Sequence, residues 1–82
     1  MYKAVVYVTL RESVLDPQGN AVKGALNTLG FTEVNNVRVG KYMELELGAA
    51  DRAQAEERVR DMCEKLLANT VVEDYRFEIV EG

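Results

Sequence analysis

The chain has 82 residues, of which 14 are acidic and 10 are basic, so its net charge is −4 at neutral pH. This acidic balance argues against binding to nucleic acid or to an anionic membrane surface. The sequence has no histidine and one cysteine, which excludes histidine-based catalysis, a CxxC metal or redox site and an intrachain disulfide. It also lacks a phosphate-binding glycine loop, so we expect no catalytic residue, cofactor or metal in this chain.

Length and composition predict one folded domain over residues 1–82. Apolar residues make up 48% of the chain, which is enough for a core. A core of this size stabilises a chain only modestly, so association with another subunit would help. No apolar run is long enough to cross a bilayer, and no signal-peptide pattern opens the sequence. Because the single Cys63 excludes an intrachain disulfide, we expect a reducing, cytoplasmic location.

Hydrophobic periodicity predicts two strands and two helices outside the middle of the chain. Residues 2–10 alternate as a strand, and Tyr75, Phe77 and Ile79 alternate as the last strand. Residues 17–29 and about 51–68 have helical spacing. The predicted buried stripes are Val22, Ala25, Leu26 and Leu29 on the first helix and Ala55, Val59, Met62, Cys63 and Leu66 on the second.

Capping residues mark where these helices begin and end. Asp16 followed by Pro17 is typical of an N-cap and first helical position, and Asp51 opens the second helix in the same way. Gly30 lies where a C′ glycine is expected. Gly19 falls inside the first helical turn, where glycine costs roughly 0.5–1 kcal/mol relative to alanine. This cost suggests a backbone or contact requirement at Gly19.

The middle segment, residues 34–47, allows two interpretations. A two-residue turn at Gly40 would mix polar and apolar residues on each sheet face. A three-residue turn, Gly40–Tyr42, would pair Val39 with Met43. Alternatively, one long strand is kinked at Gly40 and half of it pairs with another subunit. Both keep one apolar set together: Val37, Val39, Met43, Leu45 and Leu47.

The element order predicts an α+β fold. We expect a β-α-β(β)-α-β sandwich related to the ferredoxin-like plan, with both helices on one face of an antiparallel or mixed sheet. The opposite sheet face should carry Val5, Tyr7, Tyr42 and Val80 among charged residues, and such a patch suits a subunit interface.

The two helices differ on their outer faces. The second is highly charged, as solvated helices usually are, whereas the first carries only polar and small residues there, including Gly24. Gly24 points away from the predicted core, so the approach of a partner's backbone is one explanation for it. In the middle segment, Arg38 and Lys41 flank Gly40 in a pattern that by itself is only a weak partner-contact signal.

Three sequence stretches resemble the PurS family, and the resemblance extends over essentially the whole chain. They are Val8–Gly19 (VTLRESVLDPQG), Ala25-Leu26 with Leu29-Gly30-Phe31, and Val37–Lys41 (VRVGK) with Glu44-Leu45. The resemblance implies the small subunit of phosphoribosylformylglycinamidine synthase, a ligase complex that uses ATP and glutamine in de novo purine biosynthesis. It also implies a synthetase subunit, PurL, that binds ATP and magnesium, and a glutaminase subunit, PurQ, that supplies ammonia.

On this basis the chain is expected to be a non-catalytic assembly subunit, a homodimer or higher homo-oligomer that brings PurL and PurQ together and supports ammonia transfer. The candidate partner-contact residues are Arg11, Asp16, Gln18, Gly19, Gly24, Arg38, Gly40 and Lys41. Structural roles compete with this interpretation, because Asp16 could only cap a helix and Gly40 could only turn the chain. Two other functions stay open: a regulatory module that binds a small ligand, and, against the charge balance, an RNA-binding module.

Overall fold

A computed structural model describes residues 1–81. Its elements are β1 (Tyr2–Leu10), α1 (Pro17–Thr28), β2 (Gly40–Leu47), α2 (Arg52–Met62), a π-helical turn (Cys63–Leu67) and β3 (Glu73–Glu81). The strands form one antiparallel sheet in the order β2-β1-β3. The predicted α+β class, with two helices and a ferredoxin-like-related layout, is confirmed.

The core lies between one face of the sheet and α2. Ala4, Val6 and Val8 alternate along the central strand β1 and are fully buried. From α2 and the residue after it, Ala55, Val59 and Cys63 are fully buried against them. The stripe predicted for the second helix therefore exists as far as Cys63.

The end of the second helix differs from the prediction. Leu66 was expected in the core, but 82% of it is exposed. After Met62 the backbone continues as a π-helical turn, in which the N–H of Ala68 donates to the carbonyl of Cys63 at 3.0 Å. A π turn holds an extra residue, so later side chains rotate relative to an α-helix. Ala68 becomes buried and Leu66 turns to the surface.

Helix α1 has the predicted ends but not the predicted burial. Gly30 has φ +103°, and the N–H groups of Phe31 and Gly30 donate to the carbonyls of Leu26 and Asn27 in a Schellman motif. The apolar stripe, however, is largely open: Val22 is 42% exposed and Leu29 is 73% exposed. The sheet-covering role predicted for both helices is filled by α2, whereas α1 buries only Gly19.

The chain consequently has two parts of different character. We call β1, β2, α2, the π-helical turn and β3 the body, and residues 17–39, which include α1, the arm. Among the described residues, α1 makes no extensive contact with any strand or with α2. The radius of gyration is 16.2 Å, against roughly 12 Å for a compact chain of this length, and the dimensions are 51 × 27 × 14 Å.

The middle segment follows neither interpretation in full. β2 begins at Gly40 and pairs with β1, so that Thr9 faces Gly40 and Val6 faces Met43. The hairpin that pairs Val39 with Met43 is therefore wrong. Only the second half of the alternative long strand is a strand within the chain, because residues 35–39 belong to no strand or helix. Met43, Leu45 and Leu47 keep the predicted common face.

Candidate functional site

The sequence stretches singled out above meet at one place, where the arm joins the body. We call this place the corner and define it as residues 10–19 together with 37–40. It contains six of the eight candidate contact residues: Arg11, Asp16, Gln18, Gly19, Arg38 and Gly40. Lys41 follows directly after it.

The centre of the corner is the Asp16 carboxylate, which is 3% exposed. One carboxylate oxygen accepts from the N–H of Gly19 at 2.9 Å, which is the predicted N-cap bond. The other accepts from the N–H of Val39 at 2.8 Å. These donors, Gly19 first, hold the pKa of Asp16 below its ordinary value, and nearby Arg38 acts in the same direction while burial opposes it. Asp16 is therefore a buried, ionised link between two distant segments.

Two glycines let the backbones in the corner approach each other. A β-carbon at Gly19 would overlap the carbonyl oxygen of Val37, and one at Gly40 would overlap the carbonyl oxygen of Val8. The conformational cost of Gly19 in a helical turn is thus explained within the chain. In contrast, a β-carbon at Gly24 would meet nothing within 4 Å, as expected of an outward position.

Arg38 closes the corner from the other side. Its guanidinium donates to the carbonyls of Arg11 at 2.7 Å, Val14 at 2.9 Å and Leu10 at 3.3 Å. The loop between β1 and α1 has few backbone hydrogen bonds of its own, one of them from the N–H of Val14 to the carbonyl of Arg11, so the Arg38 side chain supplies further donors to its carbonyls. Arg38 is half-buried and engaged inside the chain.

The remaining candidates lie around this centre. Arg11 donates to the carbonyl of Thr70 and lies 3.5 Å from a carboxylate oxygen of Asp74, which ties the loop to the start of β3. Gln18 and Lys41 are exposed and line, with Asp16, a cleft of about 240 Å³. Lys41 directly follows the corner, whereas Gly24 lies away from it, in the middle of α1.

Two apolar surfaces are uncovered in the single chain, which the sequence does not predict. The first is the exposed stripe of α1 with its flanking residues, which we call the stripe: Leu15, Val22, Leu29 and Phe31. The second is a groove of about 470 Å³ between β2, α2 and the π-helical turn, lined by Leu45, Arg58, Asp61, Met62, Lys65, Leu66 and Leu67. Periodicity identified Val22 and Leu29 of the stripe and Leu45, Met62 and Leu66 of the groove, but it could not tell burial within the chain from burial against a partner.

The opposite sheet face carries the aromatic residues that were expected there. The rings of Tyr7 and Tyr42 meet edge to face with centroids 5.5 Å apart, and the Arg76 guanidinium lies 3.9 Å from the centre of the Tyr7 ring. Lys3 and Glu44 form an ion pair beside them, which raises the pKa of Lys3. This face is mixed in character rather than apolar.

The described residues offer little for catalysis. Cys63 is fully buried, and burial raises the pKa of its thiol, so it lacks the thiolate character of a nucleophile. No group of three metal-ligating side chains forms among residues 1–81. Nor is any helix in that part of the chain long and apolar enough to cross a membrane. The corner connects the arm to the body, and the stripe and the groove are exposed apolar surfaces suited to contact with another chain.

Known proteins resemble this chain over almost its whole length. The family model for PurS, phosphoribosylformylglycinamidine (FGAM) synthase, matches residues 3–81. The phosphoribosylformylglycinamidine synthase subunit PurS of Bacillus subtilis is 59% identical over 81 residues, which cover 99% of this chain and 95% of that protein.

Solved structures give the same result. Methanocaldococcus jannaschii PurS, described as one of the subunits of formylglycinamide ribonucleotide amidotransferase in the purine biosynthetic pathway, has a TM-score of 0.88 at 38% identity and covers 100% of this chain and 99% of that one. A chain of PurLQS from Thermotoga maritima has a TM-score of 0.88 at 34% identity, with 96% of each chain covered.

These matches define the class: subunits of phosphoribosylformylglycinamidine synthase, a ligase of purine biosynthesis. Within that class, the chain belongs to the PurS family.

Proposed function

We propose that this chain is the non-catalytic assembly subunit of its synthase, bringing PurL and PurQ together so that ammonia from glutamine reaches the synthetase. The observation that carries the proposal is the match, over 96% of both chains, to a chain of the Thermotoga maritima PurLQS complex. The contact-suited surfaces and the buried, protonated cysteine agree with a role in assembly rather than in chemistry. ATP and magnesium would be bound by PurL, and the complex would work in the cytoplasm.

Self-association is the second part of the proposal. A single chain leaves both the stripe and the groove uncovered, and it places one helix, α2, on a three-stranded sheet. A second copy of this chain supplies both a stripe and a groove, so a symmetric dimer covers apolar surface on each copy twice. We therefore infer that a homodimer is the unit that joins PurL and PurQ.

The test reconstitutes the complex from PurL, PurQ and this chain of one organism. We expect one complex of the three proteins in size-exclusion chromatography with light scattering, and glutamine-dependent product formation that requires this chain. Ammonia-dependent synthesis by PurL is the control for an intact synthetase. Full glutamine-dependent activity of PurL and PurQ without this chain would contradict the proposal.

The homodimer has its own test. The chain alone should have twice the monomer mass in light scattering, and Leu29→Asp should reduce it to the monomer mass by placing a charge on the stripe. Leu66→Asp should do the same from the groove. Glu57→Lys, on the charged outer face of α2, is the matched control and should keep the dimer. A wild-type monomer at micromolar concentration would contradict this part.

A further inference from the structure

The direction of the arm depends on polar bonds more than on burial. Asp16 precedes α1, where the chain leaves the body, and Val39 precedes β2, where the chain returns to it. The two oxygens of one carboxylate hold both connections at 2.9 and 2.8 Å. Since α1 makes no extensive contact with the body in the described chain, this link acts where the arm joins the body.

The second N-cap of the chain shows that the link to Val39 is more than capping. Asp51 accepts from the N–H of Gln54 at 2.8 Å, which matches the bond of Asp16 to Gly19. Asp51 is exposed and bonds only to its own helix, whereas Asp16 is buried and also bonds to a residue 23 positions away. An N-cap side chain needs to accept only one hydrogen bond, from a backbone N–H in the first turn of its own helix. The bond to Val39 therefore serves another purpose.

The surroundings of Asp16 leave the carboxylate little freedom. Gly19 and Gly40 let two backbone segments pack against their neighbours without side chains between them, and Arg38 holds the loop before α1 through three carbonyls. Several short polar bonds in close-packed backbone restrict the orientation of the arm to a narrow range, and losing the Asp16 carboxylate leaves the half-buried N–H of Val39 without its partner.

We propose that Asp16 is a positioning residue that fixes the direction in which α1 leaves the body, and that assembly of the synthase depends on this direction. The proposal rests on the assembly role proposed above. It assigns no contact with PurL or PurQ to Asp16, which is buried and acts through the stripe that it orients.

The test compares Asp16→Ala with the matched cap variant Asp51→Ala. Spin labels at Thr28→Cys on the arm and Glu46→Cys on β2 report the distance between arm and body, while the buried thiol of Cys63 stays unlabelled. We expect a narrow distance distribution in the wild type and in Asp51→Ala, and a broad one in Asp16→Ala. Apparent affinity for PurL with PurQ should fall by about tenfold or more in Asp16→Ala only, a loss of about 1.4 kcal/mol or more.

A second, milder variant keeps the proposal testable if Asp16→Ala does not fold. Asp16→Asn keeps one acceptor oxygen and should broaden the distribution to an intermediate width, with an intermediate loss of affinity. An unchanged distribution in Asp16→Ala or Asp16→Asn overturns the proposal, as does a broad distribution with wild-type assembly. If the wild type itself fails to join PurL and PurQ, the proposed function fails, and the distances in the isolated chain still decide whether Asp16 orients the arm.

Discussion

The two helices of this chain have similar lengths and similar N-caps, yet they are held in different ways. α2 places Ala55 and Val59 in the core, so apolar burial fixes its position on the sheet. α1 places no apolar side chain in the core and is fixed at one end, through Asp16, Gly19 and Arg38. The body is stabilised mainly by what it buries within the chain. The arm keeps its apolar surface for another chain.

The largest expected effect separates these two modes of attachment. Val59→Asp places an unpaired charge in a fully buried site and should cost roughly 4 kcal/mol or more of unfolding free energy, which few domains of this size can lose. Leu29→Asp, on the exposed stripe, should leave the far-UV circular dichroism spectrum unchanged. Urea unfolding measures both, and equal loss of folding in the two variants would contradict the distinction.

The next largest difference in stability is expected between alanine substitutions at the two glycines of α1. Gly19→Ala forces a β-carbon into the Val37 carbonyl and should destabilise the chain by roughly 1–3 kcal/mol. Gly24→Ala enters open space and should stabilise it by up to about 1 kcal/mol through helix propensity. Thermal unfolding of the isolated chain checks both signs. A stabilising Gly19→Ala would remove the close-approach explanation of that glycine.

Acid should loosen the corner through protonation of Asp16. The folded pKa of Asp16 is lowered from 3.8, so its stabilising contribution is complete above that pH and is lost as pH falls through the lower folded value. We expect the arm-to-body distance distribution to broaden below about pH 3.8, and Asp16→Asn to lack this dependence. A broadening with the same midpoint in Asp16→Asn would assign the acid effect to other carboxylates.

Alkali should instead act on the body, with the smallest effect. The Tyr75 hydroxyl donates to a Glu64 carboxylate oxygen at 2.7 Å, which raises the pKa of Tyr75 from 10.0 to about 12. The stabilising contribution of this bond is complete below pH 10 and is lost as pH rises through about 12. Tyr75→Phe should therefore flatten the fall in melting temperature over that range, and an equal fall in both proteins would contradict this.

The sequence predicts the local features of this fold well because their causes are local. Asp16, Pro17, Asp51 and Gly30 mark the helix ends through bonds to near neighbours, and alternation identifies β1 and β3. Sequence also singles out Gly19 and Arg38. It does not reveal that Gly19 packs on Val37 or that Arg38 holds the loop after β1, because these contacts span 18 residues or more of chain.

Two other differences have equally physical reasons. The π-helical turn at Cys63–Leu67 interrupts the α-helical spacing on which the predicted stripe depends. Leu66 therefore does not lie in the core, where that spacing predicts it. Sequence periodicity predicts the apolar stripe of α1 as core because it shows that the helix is amphipathic, but not which surface covers its apolar face. An amphipathic helix whose apolar face is exposed in the single chain is suited to a subunit interface.

The most direct test of this account is amide hydrogen exchange of the monomer, obtained with Leu66→Asp, and of the wild-type chain in complex with PurL and PurQ. We predict slower exchange across Pro17–Thr28 on assembly, because the stripe becomes covered, and little change across Arg52–Val59, which is already held by the core. Unchanged exchange in Pro17–Thr28, with new protection confined to α2, would contradict the claim that the arm carries the assembly surface.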